Sequence, residues 1–137
     1  MIYVFDASFI TALIIPDEKN PIVDSMYAKI ENEDMIYSPF LIWYEITNVF
    51  MNLLRRKRFT IDEVMHYYPR LAAIKLIIDY ETGVDYSKKL LFFCSKYILS
   101  SYDASYLELA ERKKAILCTL DKNLKAAAKK SNVPVME

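Results

Sequence analysis

The sequence predicts an α/β fold built on a parallel sheet, and three observations carry that prediction. Short β-type apolar runs alternate with helical stretches almost throughout the chain, the pattern of a parallel sheet covered by helices on both faces. Apolar residues make up 54% of the 137 residues, enough for a core and too many for a disordered chain. No linker, repeat or low-complexity tract divides the chain, so its length fits one compact domain over residues 1–137.

The elements follow in order. Ile2-Tyr3-Val4-Phe5 is a short apolar strand that ends at Asp6. Residues 7–14 follow as a helix that Pro16 closes. Pro21 fits the first turn of a helix over 21–32, with Ile22, Val23, Met26, Tyr27 and Ile30 at helical spacing. Residues 34–37 read as a second strand, and Pro39 opens a long helix over about 40–57. Thr60 and Glu63 form a capping box at the start of another helix, which Pro69 bends or ends. Residues 74–78 are a third strand, helices cover about 84–98 and 103–113, and 115–120 is a fourth strand ending at Asp121. A last helix over 122–131 leads to Val133-Pro134-Val135, a candidate fifth edge strand.

Composition removes several kinds of chemistry. Gly83 is the only glycine, which excludes the glycine-rich loops that let backbone approach phosphate. His66 is the only histidine, so no histidine-rich metal site exists and a Ser-His-Asp triad is disfavoured. Cys94 and Cys118 lie in apolar stretches and form no C-x-x-C pair; they read as buried thiols in a reducing cytosol, without support for zinc. Asp6 interrupts the first apolar run, no signal peptide is visible, and no run of eighteen apolar residues could span a membrane. A cytoplasmic protein is expected. Lys+Arg and Asp+Glu number 18 each, which argues against a uniformly basic nucleic-acid binder but leaves local clusters free to hold phosphate.

What remains is carboxylate chemistry. Ligands of parallel α/β sheets bind beyond the carboxyl ends of the strands. Asp6 and Asp121 follow the first and fourth strands, and Asp103 lies at a helix start, where it could cap free N–H groups. Glu45 lies inside the long helix among Leu41, Ile42, Asn48 and Val49, a partly apolar setting that disfavours its charge unless it has a partner. Asn48 and Asn52 continue a polar stripe from it, as on a helix edge turned to a wet cleft. Singly, each acid has an ordinary structural use as a turn residue, cap or surface residue. Together they could converge, and a cluster of carboxylates is stable only with protons or cations between them; hard oxygen ligands suit Mg²⁺ or Mn²⁺.

The same residues carry a family resemblance. Val4-Phe5-Asp6-Ala7-Ser8, Glu45 in its helix, Ser101-Tyr102-Asp103-Ala104-Ser105-Tyr106-Leu107-Glu108-Leu109-Ala110 and Cys118-Thr119-Leu120-Asp121-Lys122-Asn123-Leu124 resemble the motifs of PIN domains, in order and over essentially the whole chain. The Tyr-Asp-Ala-Ser-Tyr run followed by Thr-x-Asp-Lys is similar to the VapC branch of type II toxins. The resemblance implies a PIN-like three-layer α/β/α domain with a short central parallel sheet of four to five strands. It implies a Mg²⁺- or Mn²⁺-dependent endoribonuclease in which Asp6, Glu45, Asp103 and Asp121 bind metal and catalyse, with Ser8 and Thr119 as polar support. It also implies an RNA substrate, an inhibitory antitoxin protein and a homodimer.

Arg55-Arg56-Lys57-Arg58 ends the long helix, and Arg112, Lys113, Lys114, Lys122, Lys125, Lys129 and Lys130 crowd segment 112–130. Cations near helix C-termini have an ordinary role against the dipole; Lys122, Arg55 and Arg56 are the candidates for RNA contact, Lys122 foremost because it adjoins Asp121. Apolar residues on the helices over 21–32 and 60–71 could form a groove for an antitoxin segment or a second chain. Two other readings stay open: a PIN nuclease of RNA processing or decay without an antitoxin, and a catalytically silent scaffold that only docks RNA or protein. An Asp-x-Asp phosphatase is disfavoured because Asp6-Ala7-Ser8 lacks the second acid.

Overall fold

The computed structural model describes residues 1–137. Four parallel strands form one sheet in the order β3-β2-β1-β4: β1 is Ile2–Phe5, β2 Met35–Pro39, β3 Ile77–Asp79 and β4 Ile116–Cys118. β1 is central, and Tyr3, Val4 and Phe5 are buried, as expected of a strand covered on both faces. Its register sets Tyr3 beside Ile36 and Ile116, and Val4 beside Tyr37 and Leu117.

Helices cover the sheet on both sides. α7 (Ser101–Lys113) packs on β1, β2 and β4 between α6 (Val84–Tyr97) and α8 (Lys122–Lys130). Every residue of α7 from Ala104 to Ala110 is buried, so it is a core helix rather than an amphipathic surface one. On the other side α1 (Ala7–Ile14) gathers α2 (Pro21–Tyr27), α3 (Ile42–Arg55) and α5 (Tyr68–Ala73), and α4 (Ile61–Met65) packs on α3. One core of 31 buried apolar residues joins the layers, and each fully buried Leu, Ile or Phe in it contributes about 1.5–3 kcal/mol.

Several boundaries differ from the sequence expectations. The helix expected over 21–32 ends at Tyr27. Asp34 competes for the chain there: its carboxylate accepts the Glu31 N–H at 2.9 Å and pairs with the Met1 ammonium, fixing a turn in place of a further helical turn. Pro39 closes β2 instead of opening the long helix, which begins at Ile42. The helix after Thr60 is two helices. Thr60 caps the first through the Glu63 N–H at 3.2 Å, and Pro69 lies in the first turn of the second, where its missing N–H costs nothing. The third strand starts at Ile77, because Ile74 is buried at the end of α5 and Lys75 turns with φ 56°. The fifth strand reduces to one parallel bridge between Leu117 and Val135.

The chain winds outward from β1 to β2 to β3, then returns to lay β4 on the other side of β1. The carboxyl ends of β1 and β4 therefore flank the point where the winding reverses, and that is where such folds bind ligands.

Candidate active site

Asp6 follows β1 at this reversal point and caps α1: its Oδ1 accepts the Phe9 N–H at 2.9 Å and the Ser8 hydroxyl at 2.7 Å. The Thr119 hydroxyl donates to Oδ2. Each of these hydroxyls also accepts from the loop after β4, Ser8 Oγ from the Leu120 N–H at 2.9 Å and Thr119 Oγ1 from the Asp121 N–H at 3.0 Å. Two loops from opposite ends of the chain are thereby laced around one carboxylate. Asp6 is 5% exposed, and its burial pushes its pKa above the ordinary carboxylate range despite three hydrogen bonds that favour the charged form; the charge of Asp103 pushes the same way.

Glu45 projects from α3 and accepts a hydrogen bond from the Tyr106 hydroxyl of α7. Burial raises its pKa, that bond lowers it, and the charges of Asp6 and Asp103 raise it further. Asp103 lies in the first turn of α7 but is not its cap. Ser100 caps the helix, its Oγ accepting the Asp103 N–H at 3.1 Å, and its hydroxyl also favours the charged form of the Asp103 carboxylate. Burial and then the charge of Asp121 raise the Asp103 pKa. Asp121 caps α8 through the Leu124 N–H at 2.8 Å. The four acids thus act electrostatically on one another, and none is in a salt bridge. No three acidic, histidine or cysteine side chains stand close enough to enclose a metal ion.

Two grooves flank these acids and share Ala7 and Val49. One, of about 700 Å³, is lined by Phe40, Tyr44, Glu45, Asn48 and Tyr102. The other, of about 430 Å³, is lined by Ser8, Asn52, Arg56 and Leu120. The stripe Glu45-Asn48-Asn52 extends along α3 to Arg56 and borders both. Arg55 points instead to Asn52 Oδ1 at 3.4 Å. Lys122, the foremost cation of the sequence reading, is exposed at the start of α8 and lines neither groove.

Sequence reasoning assigned no role to Tyr106 or Glu108. Tyr106 stands three residues after Asp103, hence on the same helical face, and that spacing was the available signal. Glu108 is 1% exposed and carries an ion network: Lys89 Nζ lies at 2.9 Å, Arg112 Nε at 2.8 Å, and Arg112 forks onto Asp79 at 3.1 and 2.7 Å. The i, i+4 spacing of Glu108 and Arg112 was its signal. Burial and then the charge of Glu108 push the nearby Tyr86 hydroxyl up to about 12.

The PIN domain family model matches residues 3–130. The chain belongs to the PIN domain family. Solved structures similar to this PIN domain include PAE2754 from Pyrobaculum aerophilum, with a TM-score of 0.71 and 21% identity over 93% of this chain and 84% of that one. VapC20 of Mycobacterium tuberculosis, a Sarcin-Ricin loop cleaving toxin, matches with a TM-score of 0.65 and 15% identity over 93% of this chain and 95% of that one. VapBC-1 from nontypeable Haemophilus influenzae matches with a TM-score of 0.65 and 12% identity over 100% of this chain and 98% of that one. No curated protein matches the chain. At these identities the likeness is one of fold. No helix of this PIN domain is long and apolar enough to cross a membrane, and both cysteines are free thiols.

Proposed function

We propose that this PIN domain is a divalent-cation-dependent endoribonuclease toxin restrained by an antitoxin protein. The observation that carries the reading is the set of four mutually repelling carboxylates, free of Lys or Arg partners, at the carboxyl ends of β1 and β4. Repulsion of this kind is relieved by a cation, and an all-oxygen donor set is the chemistry of Mg²⁺ and Mn²⁺. Asp6, Glu45, Asp103 and Asp121 would hold the ion. When bound, a divalent ion supplies positive charge to a phosphate oxygen and acidifies water.

The chain's own groups divide the remaining work. Ser8 and Thr119 hold Asp6 in place by hydrogen bonds that favour its charged form against the burial that disfavours it. Tyr106 fixes the Glu45 carboxylate between α3 and α7. Arg56, in the groove beside Ser8, meets phosphate. VapC and VapBC neighbours of the same fold support the toxin–antitoxin reading. So do the exposed apolar side chains of Met51, Ile61, Met65 and Tyr68 on α3, α4 and α5, which suit a partner segment or a second copy of the chain.

The test is cleavage of structured RNA in Mg²⁺ or Mn²⁺, with chelator as control, by the purified protein and by Asp6→Asn. The variant should lose about a thousandfold in rate, which corresponds to ~4 kcal/mol, while Mg²⁺ raises the melting temperature of the unmodified protein and not of the variant. Cleavage that survives chelation, or an Asp6→Asn protein of full activity, overturns the assignment.

A further inference from the structure

Exposed aromatic side chains collect on the rim of the sheet beside the acids. Phe40 follows β2 and Tyr80 follows β3, and the Phe40 N–H donates to the Asp79 carbonyl at 3.1 Å, which ties the two strand ends together. Their rings are nearly parallel, 13° between planes with centroids 6.5 Å apart. Tyr44 meets Phe40 edge-on at 6.3 Å. Tyr102 lines the same groove one residue before Asp103. These rings are not sequestered in the core: Tyr80 is 71% exposed, Tyr44 67% and Tyr102 63%. Large aromatic faces left in water beside a polar cleft call for a ligand that covers them.

The charges along the same face say which ligand. From the rings the first groove passes Glu45 and Asn48 to Val49, which it shares with the second, and the second is lined by Asn52, Glu18 and Arg56. There Arg55, Arg56, Lys57 and Arg58 are all exposed and none is in a salt bridge. Stacking faces at one end, free cations at the other and carboxylates between them complement a chain that alternates flat bases with phosphates. A duplex keeps its base faces stacked inside the helix and cannot present them to a ring, whereas an unpaired segment can.

We infer that Phe40, Tyr80 and Tyr44 form a base-stacking platform that selects unpaired RNA and seats a base next to the carboxylates, while Arg56 takes a phosphate on the far side of them. The inference rests on the nuclease reading for its substrate class but not for its test, which reads binding and not cleavage. Affinity for a short unstructured RNA oligonucleotide carrying a fluorescent purine analogue, and for a duplex of the same length, is measured by anisotropy in chelator. Stacking is read from quenching of the analogue.

The unpaired strand should bind tighter than the duplex and be quenched. Tyr80→Ala and Tyr44→Ala should each weaken single-strand binding on the order of tenfold and reduce quenching. Tyr80→Phe, which keeps the stacking face, should retain both. Phe92→Ala, an exposed ring on α6 far along the chain from the groove residues, should change neither. Arg56→Gln should lower the salt slope of single-strand binding by roughly 0.7. Ring variants that bind RNA as tightly as the unmodified protein overturn the platform, whatever they do to binding of a protein partner, and so does equal affinity for duplex. Ring-dependent binding by a protein that cleaves no RNA in any divalent ion would keep the platform and sink the nuclease reading; cleavage with indifferent ring variants would do the reverse.

Discussion

Two groups of acids in this molecule are treated in opposite ways. Asp79, at the end of β3, and Glu108, buried on α7, are matched by Arg112 and Lys89 within ordinary ion-pair distance. Asp6, Glu45, Asp103 and Asp121 receive only neutral hydrogen-bond donors and one another's repulsion. Asp103 and Glu108 stand five residues apart on the same helix, so the difference does not lie in the element that carries them. A neutralised acid braces α6 and β3 to the central helix. The four acids left without a cation are the ones to which the proposed function gives the site, and the contrast supports that reading without reference to any relative.

The contrast can be broken by exchanging the behaviour of two residues on α7. Asp103→Asn should cost about a thousandfold in activity, ~4 kcal/mol on the transition state, while the protein folds as before, because that carboxylate is in no salt bridge and the amide keeps an oxygen for the nearby Ser100 hydroxyl. Glu108→Gln should do the opposite. It leaves the Arg112 and Lys89 charges short of their buried partner and should lower unfolding free energy by about 3 kcal/mol, the lower end for a broken buried pair since both cations keep access to water. Turnover of the molecules that remain folded should be retained. Denaturant unfolding and turnover of the two variants, measured side by side, decide it; equal losses of stability would erase the distinction.

A smaller effect sharpens it through pH. Glu45 and Asp103 have folded-state pKa values raised above their ordinary range, first by burial. A raised carboxylate contributes stability that is present below its unfolded pKa and lost as pH rises through the folded value. In chelator, the double variant Glu45→Gln, Asp103→Asn should therefore unfold at a higher temperature than the unmodified protein at neutral pH. The gap should close as pH falls toward about 4. A gap that is constant with pH would mean the repulsion is not felt by the fold.

The smallest effect concerns the braced side alone. Ile98 ends α6 in the left-handed region at φ 55° with its side chain exposed, a conformation that costs an L-residue with a branched Cβ about 1–2 kcal/mol. Ile98→Gly should raise stability by about 1 kcal/mol, near 4 °C in melting temperature, and leave turnover untouched. A change in turnover would show that the brace and the site are coupled.

Much of this was legible in the sequence, and for identifiable reasons. Strand β1, with Val4 and Phe5 buried beside Asp6, is a short apolar run with an abrupt polar stop, and its meaning is local. The polar stripe from Glu45 through Asn48 and Asn52 is a matter of helical period and is found bordering the grooves. Helix ends were harder to place. The usual sign of a helix C-terminus is glycine, and here the chain's one glycine is Gly83, at φ 104° before α6. Lys57, Lys75, Ile98, Lys114 and Asn132 take the left-handed positions at or just beyond helix ends instead, and of these only Asn132 is of a residue type that favours that region. The Asp79–Arg112–Glu108–Lys89 network was invisible for a different reason: three of its four members are charged residues in helices, and only tertiary packing decides which such residues are buried.

The hydrogen bond from Thr119 to Asp6 spans 113 residues. During synthesis, therefore, Asp6 has the Ser8 hydroxyl from the start but lacks the Thr119 hydroxyl and its fourth companion until Asp121 has been added. Under the nuclease reading proposed above, the site is incomplete until β4 has docked beside β1.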